Sequence, residues 1–373
     1  MRCELIVSIP MLVCGVWPAW AQVGSVDLSR YVRIGRYNLP APGQTPAPVG
    51  SLLAEEASGV TYNRDTGTLF VVGDRGTSVV QVTKTGALID SMTLAAGSSP
   101  QGTAFYDVEG ITWIGNGQFV IVEERYRIAN RFVYTAGTTL GLAGAQRVTL
   151  GTSTGNSGLE GVAHDPLTGG FIFVKEKSPQ GVFQTTINFA NGTASNGSPT
   201  TANSVNLFSP ALLGVTDLAD VYALSALPSL AGHPDYSRLL ILSQESGRVL
   251  KVDRSGNIHG VLVLPRDPDN PLSIEEQHHE GLTMDDDGLL YIVSEAGGGA
   301  EEIPQLWVFA PPRYLCGCAA DFNADGGVDG ADVDAFFASW EAARSCADVN
   351  EDGGIDGADV DAFFSRWEAG GCE

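Results

Sequence analysis

Five short, nearly unbroken apolar runs recur along the middle of the chain: LFVVGD (69–74), FVIVEE (119–124), FIFVKE (171–176), LLILSQ (239–244) and LYIVSE (290–295). Each is too short for a helix and is bounded by turn residues, which reads as a strand buried on both faces. A second column precedes each run: EASGVTYN from Glu56, DVEGITWI from Asp107, GLEGVAHD from Gly158, DVYALSAL from Asp220 and HHEGLTMD from His278. Stacking these openings aligns Gly59, Gly110, Gly161 and Gly281, with Ala223 in the fourth unit. Third strands follow, such as SVVQVTKTG, GRVLKVDRSG and QLWVFAP. Repeats of roughly 50 residues made of short antiparallel strands predict an all-β, five-bladed propeller spanning 22–312. A β-sandwich is the competing architecture.

The last unit runs out after three strands, and YVRIGRYNL (31–39) offers the missing outer strand. Pairing the two would close the ring and remove an exposed sheet edge. Antiparallel pairing also brings the start of each first strand beside the end of each second strand. Glu109, Glu160 and Glu280 of one column are therefore expected to meet Asp74, Glu124, Glu176 and Glu295 of the other on one rim. Such a ring must be protonated, hydrated, or neutralised by a cation. Glutamates that cap amides or pair with Arg75, Arg125, Lys175 and Lys177 are the structural alternative. A polar insertion, 188–204, reads as a surface loop.

The pattern changes beyond residue 316. Val333, Phe336, Phe337 and Trp340, then Val360, Phe363, Phe364 and Trp367, follow helical spacing, and neither helix alone can bury its aromatics. Residues 321–342 and 348–369 match at 17 of 22 positions, so the unit is duplicated. Ahead of each helix lies an acidic twelve-residue loop. The first offers Asp321, Asn323, Asp325, the carbonyl of Gly327, Asp329 and Asp332; the second offers Asp348, Asn350, Asp352, the carbonyl of Gly354, Asp356 and Asp359. Oxygen donors at positions 1, 3, 5, 7, 9 and 12 around a position-6 glycine suit calcium, so two ions are expected.

Charge and cysteine refine the picture. The formal net charge of −23 excludes a nucleic-acid partner, since phosphate binding depends on Lys and Arg. MRCELIVSIPMLVCGVWPAWAQ reads as a signal peptide, 1–21, cleaved after Ala21 and leaving no membrane span; localisation is expected to be secreted or cell-surface. Cleavage would leave Cys316, Cys318, Cys346 and Cys372, which in an exported protein implies two disulfides of open connectivity; a four-thiolate zinc site is the rival.

Two resemblances follow from these motifs. Loop and following helix, twice over, resembles a GC-type, type I dockerin across 316–373, and implies EF-hand-type calcium loops and docking to an extracellular or cell-surface protein. Gly330-Ala331 and Gly357-Ala358 depart from the hydroxyl residues usual at loop positions 10 and 11, which weakens the case for a standard cohesin partner. DVEGITWIGNGQFVIVEER (107–125), GLEGVAHDPLTGGFIFVKEKSPQGVF (158–183), LLILSQESGRVLKVDRSG (239–256) and EGLTMDDDGLLYIVSE (280–295) resemble the SdiA-regulated family. That likeness implies a five-bladed propeller with a calcium site, carried over only to Glu109, Glu160 and Glu280, and supplies no reaction. Gln244 departs from the acid usual at its position.

Gly151-Thr152-Ser153-Thr154-Gly155 matches a nucleophile elbow by letter but lacks the helix that such an elbow needs. The adjacent His278 and His279 are assigned to a surface or turn role. The resulting expectation is an exported, calcium-associated binding protein, attached through its tail and recognising an unidentified propeller ligand. A calcium-dependent lactonase, esterase or phosphatase is the alternative.

Overall fold

The computed structural model describes residues 24–40, 53–197, 204–266, 272–298, 303–311, 319–323, 327–342, 344–350 and 354–370. The signal segment 1–21, Cys316, Cys318, Cys372, Asp325 and Asp352 lie outside the described residues. The chain divides into two compact units, one within Val23–Leu315 and one within Cys316–Glu373.

The larger unit is a five-bladed propeller. Blade I comprises Ala57–Asn63, Thr68–Gly73, Ser78–Val82 and Leu88–Leu94; blade II comprises Val108–Gly115, Gln118–Glu123, Ile128–Val133 and Gln146–Thr149. Blade III has Leu159–Asp165, Gly170–Lys175 and Gly181–Thr185, and the 188–204 insertion follows it. Blade IV comprises Asp220–Ala223, Leu239–Ser243, Arg248–Val252 and Ile258–Val263. Blade V takes His279–Met284, Leu290–Gly298 and Ile303–Ala310, and its outer strand is Val32–Asn38, paired antiparallel from Val32 with Ala310 to Asn38 with Gln305. The two ends of the propeller sequence thus share one sheet, closing the ring.

The unbroken apolar runs now have a cause. Successive side chains of a strand point to opposite faces, and each second strand lies between two neighbouring blades. Phe119 and Ile121 pack toward blade I, whereas Val120 and Val122 pack toward blade III. Leu240 and Leu242 face blade V, while Leu239 and Ile241 face blade III. Both parities must therefore be apolar.

The smaller unit holds two helices, Gly330–Glu341 and Gly357–Ala369. Each begins with a capping box: Asp329 with Asp332, and Asp356 with Asp359. The expected face-to-face packing is present, with Phe336 and Phe363 stacked at 4.2 Å between centroids and Phe322 edge-on to both. Cys346 is disulfide-bonded.

Candidate metal centre at the propeller mouth

A repeated distortion builds the site. In blades I, II, III and V the first strand pairs with the second up to two residues before the glycine, skips a residue, and resumes at Gly59, Gly110, Gly161 or Gly281. The skipped residues are Ser58, Glu109, Glu160 and Glu280. A β-bulge of this kind re-aims the extra side chain out of the ladder. The preceding turn is held in blades I, II and V by left-handed residues, Glu56 (φ 49°), Asp107 (φ 48°) and His278 (φ 49°). Their carbonyls accept from the amides of Asp74, Glu124 and Glu295 at 3.0, 2.8 and 3.0 Å. Column one and column two are therefore locked together at one end of each blade.

Past the bulge, the glycines pinch the channel. A β-carbon on Gly59 would lie 2.6 Å from the Glu109 carbonyl, on Gly110 2.8 Å from that of Glu160, and on Gly281 2.8 Å from that of Ser58. Gly161 faces Asp220 rather than a glycine. Asp220 pairs with Leu242, the position matched in the other blades by Val72, Val122, Val174 and Val293. The fourth unit is thus displaced by three from its expected alignment: Asp220, not Ala223, occupies the glycine column. Its carboxylate accepts from Leu282 N and Val221 N, each at 2.8 Å, joining blade IV to blade V. Beyond the pinch, the Thr283, Thr61 and Thr112 hydroxyls accept from the amides of Tyr62, Trp113 and His164 on the next blade, at 3.1, 3.0 and 3.0 Å.

The seven expected carboxylates do converge on the mouth. Burial, followed by repulsion from Asp74 and Glu124, pushes Glu109 well above its ordinary pKa. Burial, then Glu109, Glu124, Glu280 and Glu176, does the same to Glu160. Burial, then Glu295, Glu109, Glu176 and Asp74, does it to Glu280. Asp74 is raised to about 6 by burial and by Asp107, Glu56 and Glu295. Burial also raises Glu124, although the Gly158 amide and the Glu160 side chain work in the opposite direction.

Some acids also have structural partners. Arg75 pairs with Glu56 at 3.1 Å, Arg125 with Asp107 at 2.7 Å, and Lys177 with Glu176 and Glu245 at 2.6 and 2.8 Å. Glu124 Oε1 accepts from Gly158 N at 2.9 Å. Lys175 departs from expectation: its ammonium reaches the carbonyls of Lys177 and Pro179 instead of a carboxylate.

The histidines also separate. His278 Nδ1 lies 2.6 Å from Glu295 Oε2, and ligand atoms of His278, Glu280 and Glu295 all fall within 4.8 Å of one another. The surface assignment fails for His279, which is fully buried, edge-on to Trp307 at 4.7 Å. Burial lowers its pKa to about 4 and keeps it neutral. His278 is the left-handed turn residue ahead of the strand and His279 is the strand's first residue, so one ring lies at the mouth beside Glu295 and the other packs on Trp307 in the core.

In the smaller unit, Asn323 N and Asp329 N donate to Asp332 at 3.1 and 2.8 Å; Asn350 N and Asp356 N donate to Asp359 at 3.2 and 2.9 Å. Burial opposes ionisation of Asp332, yet the converging amides hold its pKa below the usual value. An ionised carboxylate carries about four lone-pair sites, so capacity remains for a cation. Asp321, Gly327, Asp348 and Gly354 flank these contacts in sequence, and Asp325 and Asp352 complete the loops outside the described residues.

These features define a five-bladed propeller whose bulged first strands present a carboxylate-rich mouth. The family with the matching pattern is the SdiA-regulated family, which covers residues 46–297, and the chain belongs to it. Among solved structures, Myxococcus xanthus glutaminyl cyclase is similar at 11% identity and TM-score 0.39, over 75% of this chain and 95% of that one. A gluconolactonase from Xanthomonas campestris is similar at 11% identity and TM-score 0.39, over 70% and 88%. A streptogramin B lyase structure matches at 11% identity and TM-score 0.33 over 68% of this chain, which spans 64% of the lyase chain. None of these likenesses bears on activity. Among the described residues, no helix is long and apolar enough to cross a membrane.

Proposed function

We propose that this chain is an exported binding protein whose propeller mouth holds a divalent cation, and whose duplicated tail holds two calcium ions and attaches it to an extracellular partner. The observation that carries the reading is the convergence of His278, Glu280 and Glu295 ligand atoms within 4.8 Å, inside a ring of further carboxylates. Oxygen donors favour calcium, while the His278 nitrogen also admits manganese or zinc. Glu109 of blade II and Glu160 of blade III belong to the expected calcium set and stand across the mouth from Glu280. Support for the tail comes from the two identical capping arrangements behind Asp332 and Asp359, and docking to a cell-surface protein follows from the dockerin-like sequence.

A second reading, metal-assisted hydrolysis of a lactone, ester or phosphate, is favoured by His278. The Glu295 hydrogen bond, and secondarily its charge, raise the His278 pKa, as suits a proton-accepting dyad beside the ion. A bound cation would supply Lewis acidity there.

Elemental analysis of untreated protein, followed by calorimetric titration with calcium, manganese and zinc, tests the reading. Glu280→Gln is expected to abolish the propeller event and leave the two tail events intact. Equal metal content in wild type and Glu280→Gln would refute the propeller site, and absence of calcium from the tail would refute the attachment module. Chelator-sensitive turnover in a panel of lactones, aryl esters and phosphomonoesters would promote the hydrolase.

A further inference from the structure

A cavity lies in the channel on the far side of the glycine pinch from the mouth. It encloses about 440 Å³ free of protein atoms, opening included, and its inner part holds only a few non-hydrogen atoms. The second position after the pinch residue builds its walls: Thr283, Thr61 and Thr112 in the consecutive blades V, I and II, but Ala163 in blade III and Tyr222 in blade IV. One side of the cavity is therefore hydroxyl-bearing, and the other is apolar and aromatic.

The hydroxyl side has donors to spare. Each threonine oxygen accepts a backbone N–H from the next blade, at 3.1, 3.0 and 3.0 Å for Thr283, Thr61 and Thr112. A hydroxyl that accepts still has its own proton to give. Among the described residues, none of these three buried hydroxyls donates to an acceptor, and leaving buried donors unused is costly. Tyr222 differs, because its hydroxyl donates to Met284 O at 3.1 Å and holds the ring as a wall. Arg64 is the one side chain around the cavity that is ionised at neutral pH, since burial keeps His164 neutral. Asp286 already pairs with Arg64 at 2.7 Å. From the turn after the first strand of blade I, Arg64 also donates to the carbonyl of Ala226, which follows the first strand of blade IV. It thus bridges two blades that are not neighbours and narrows the far opening.

We infer that this cavity binds a short acyl group of a neutral ligand, its carbonyl oxygen taking protons from the threonine hydroxyls and its alkyl end lying against Ala163 and Tyr222. A carbonyl oxygen has two lone pairs and satisfies two of the three donors at once. A carboxylate would enter uncompensated, because the one cation at hand is already paired. The pinch separates this site from the acidic mouth, so binding here needs no metal ion.

Crystals of the full chain soaked in N-methylacetamide are expected to place its carbonyl oxygen within hydrogen-bond distance of a pair of these hydroxyls. Saturation-transfer NMR, titrated in solution, measures the affinity. Thr112→Val is expected to weaken binding about tenfold, Thr112→Ser to retain it, and chelator to leave it unchanged. A wild-type cavity that holds only water after soaking, density in crystals without saturation transfer in solution, or an affinity unchanged in Thr112→Val would overturn the inference. Loss of binding in chelator would do the same, by placing the ligand at the mouth.

Discussion

Gly161 faces Asp220 so closely that a β-carbon on the glycine would lie 2.2 Å from Asp220 Oδ1 and 2.6 Å from its Cα. Rotation of the aspartate cannot clear the second contact, because it involves backbone. Gly161→Ala is therefore expected to cost about 3 kcal/mol through overpacking at the pinch. Gly141→Ala, where the nearest atom is 3.9 Å away, should change stability by less than about 0.5 kcal/mol. Denaturant unfolding of both variants checks the contrast, and equal losses would mean that the pinch is not a rigid contact.

The threonine hydroxyls make a second, separable prediction. Thr112 is 7% exposed and its Oγ1 accepts from His164 N across the blade boundary. Thr112→Val keeps the shape and removes the acceptor, leaving an amide without its partner. A loss of about 1 to 2 kcal/mol is expected, measured against Thr66→Val, whose exposed hydroxyl bonds that of Thr68. Comparable losses would assign the effect to β-propensity rather than to the bond between blades.

The propeller was legible because each blade repeats one two-sided strand, and the seven mouth carboxylates were legible because antiparallel pairing fixes their shared end. The bulge was not, since a skipped pairing leaves the letters unchanged and only the ladder reveals it. The left-handed turn ahead of it was equally hidden, and with it the grouping of His278 with Glu280 and Glu295 and the burial of His279. The fourth blade misled for another reason: Asp220 stands where the other blades have glycine, so aligning it with Asp107 moved the strand by three residues. The Gly-x-Thr spacing of Thr61, Thr112 and Thr283 was available in the sequence as a sign of the bonds between blades.

Without a divalent cation, the mouth should make the propeller less stable as pH rises. Glu109, Glu160 and Glu280 hold protons to higher pH in the folded chain than when unfolded, and Asp74 does so to about 6. The native state then binds more protons than the unfolded state, so stability falls from about pH 4.5 upward through those raised values. In chelator, the propeller transition is expected to drop on the order of 5 °C between pH 5 and 7.5. Calcium should offset the drop most at the higher pH, where the ligands are ionised. A transition that rises with pH in chelator would refute the repulsive ring.

The tail ties each loop to the opposite helix. Trp340 Nε1 donates to the carbonyl of Asp356 at 3.3 Å, and Trp367 Nε1 to that of Asp329 at 2.9 Å. Both acceptors sit at position 9 of an acidic loop, so any change in loop shape moves the partner indole. If calcium orders the loops, chelation should shift tryptophan emission to the red and expose 319–370 to protease, while the propeller persists. Trp113 and Trp307 belong to the propeller and should not respond. Replacing Trp340 and Trp367 by Phe together is expected to remove the calcium-dependent emission change while calorimetry still detects two bound ions. An emission change that survives the double replacement would place the calcium response outside the tail, and with it the reason for the duplicated loops.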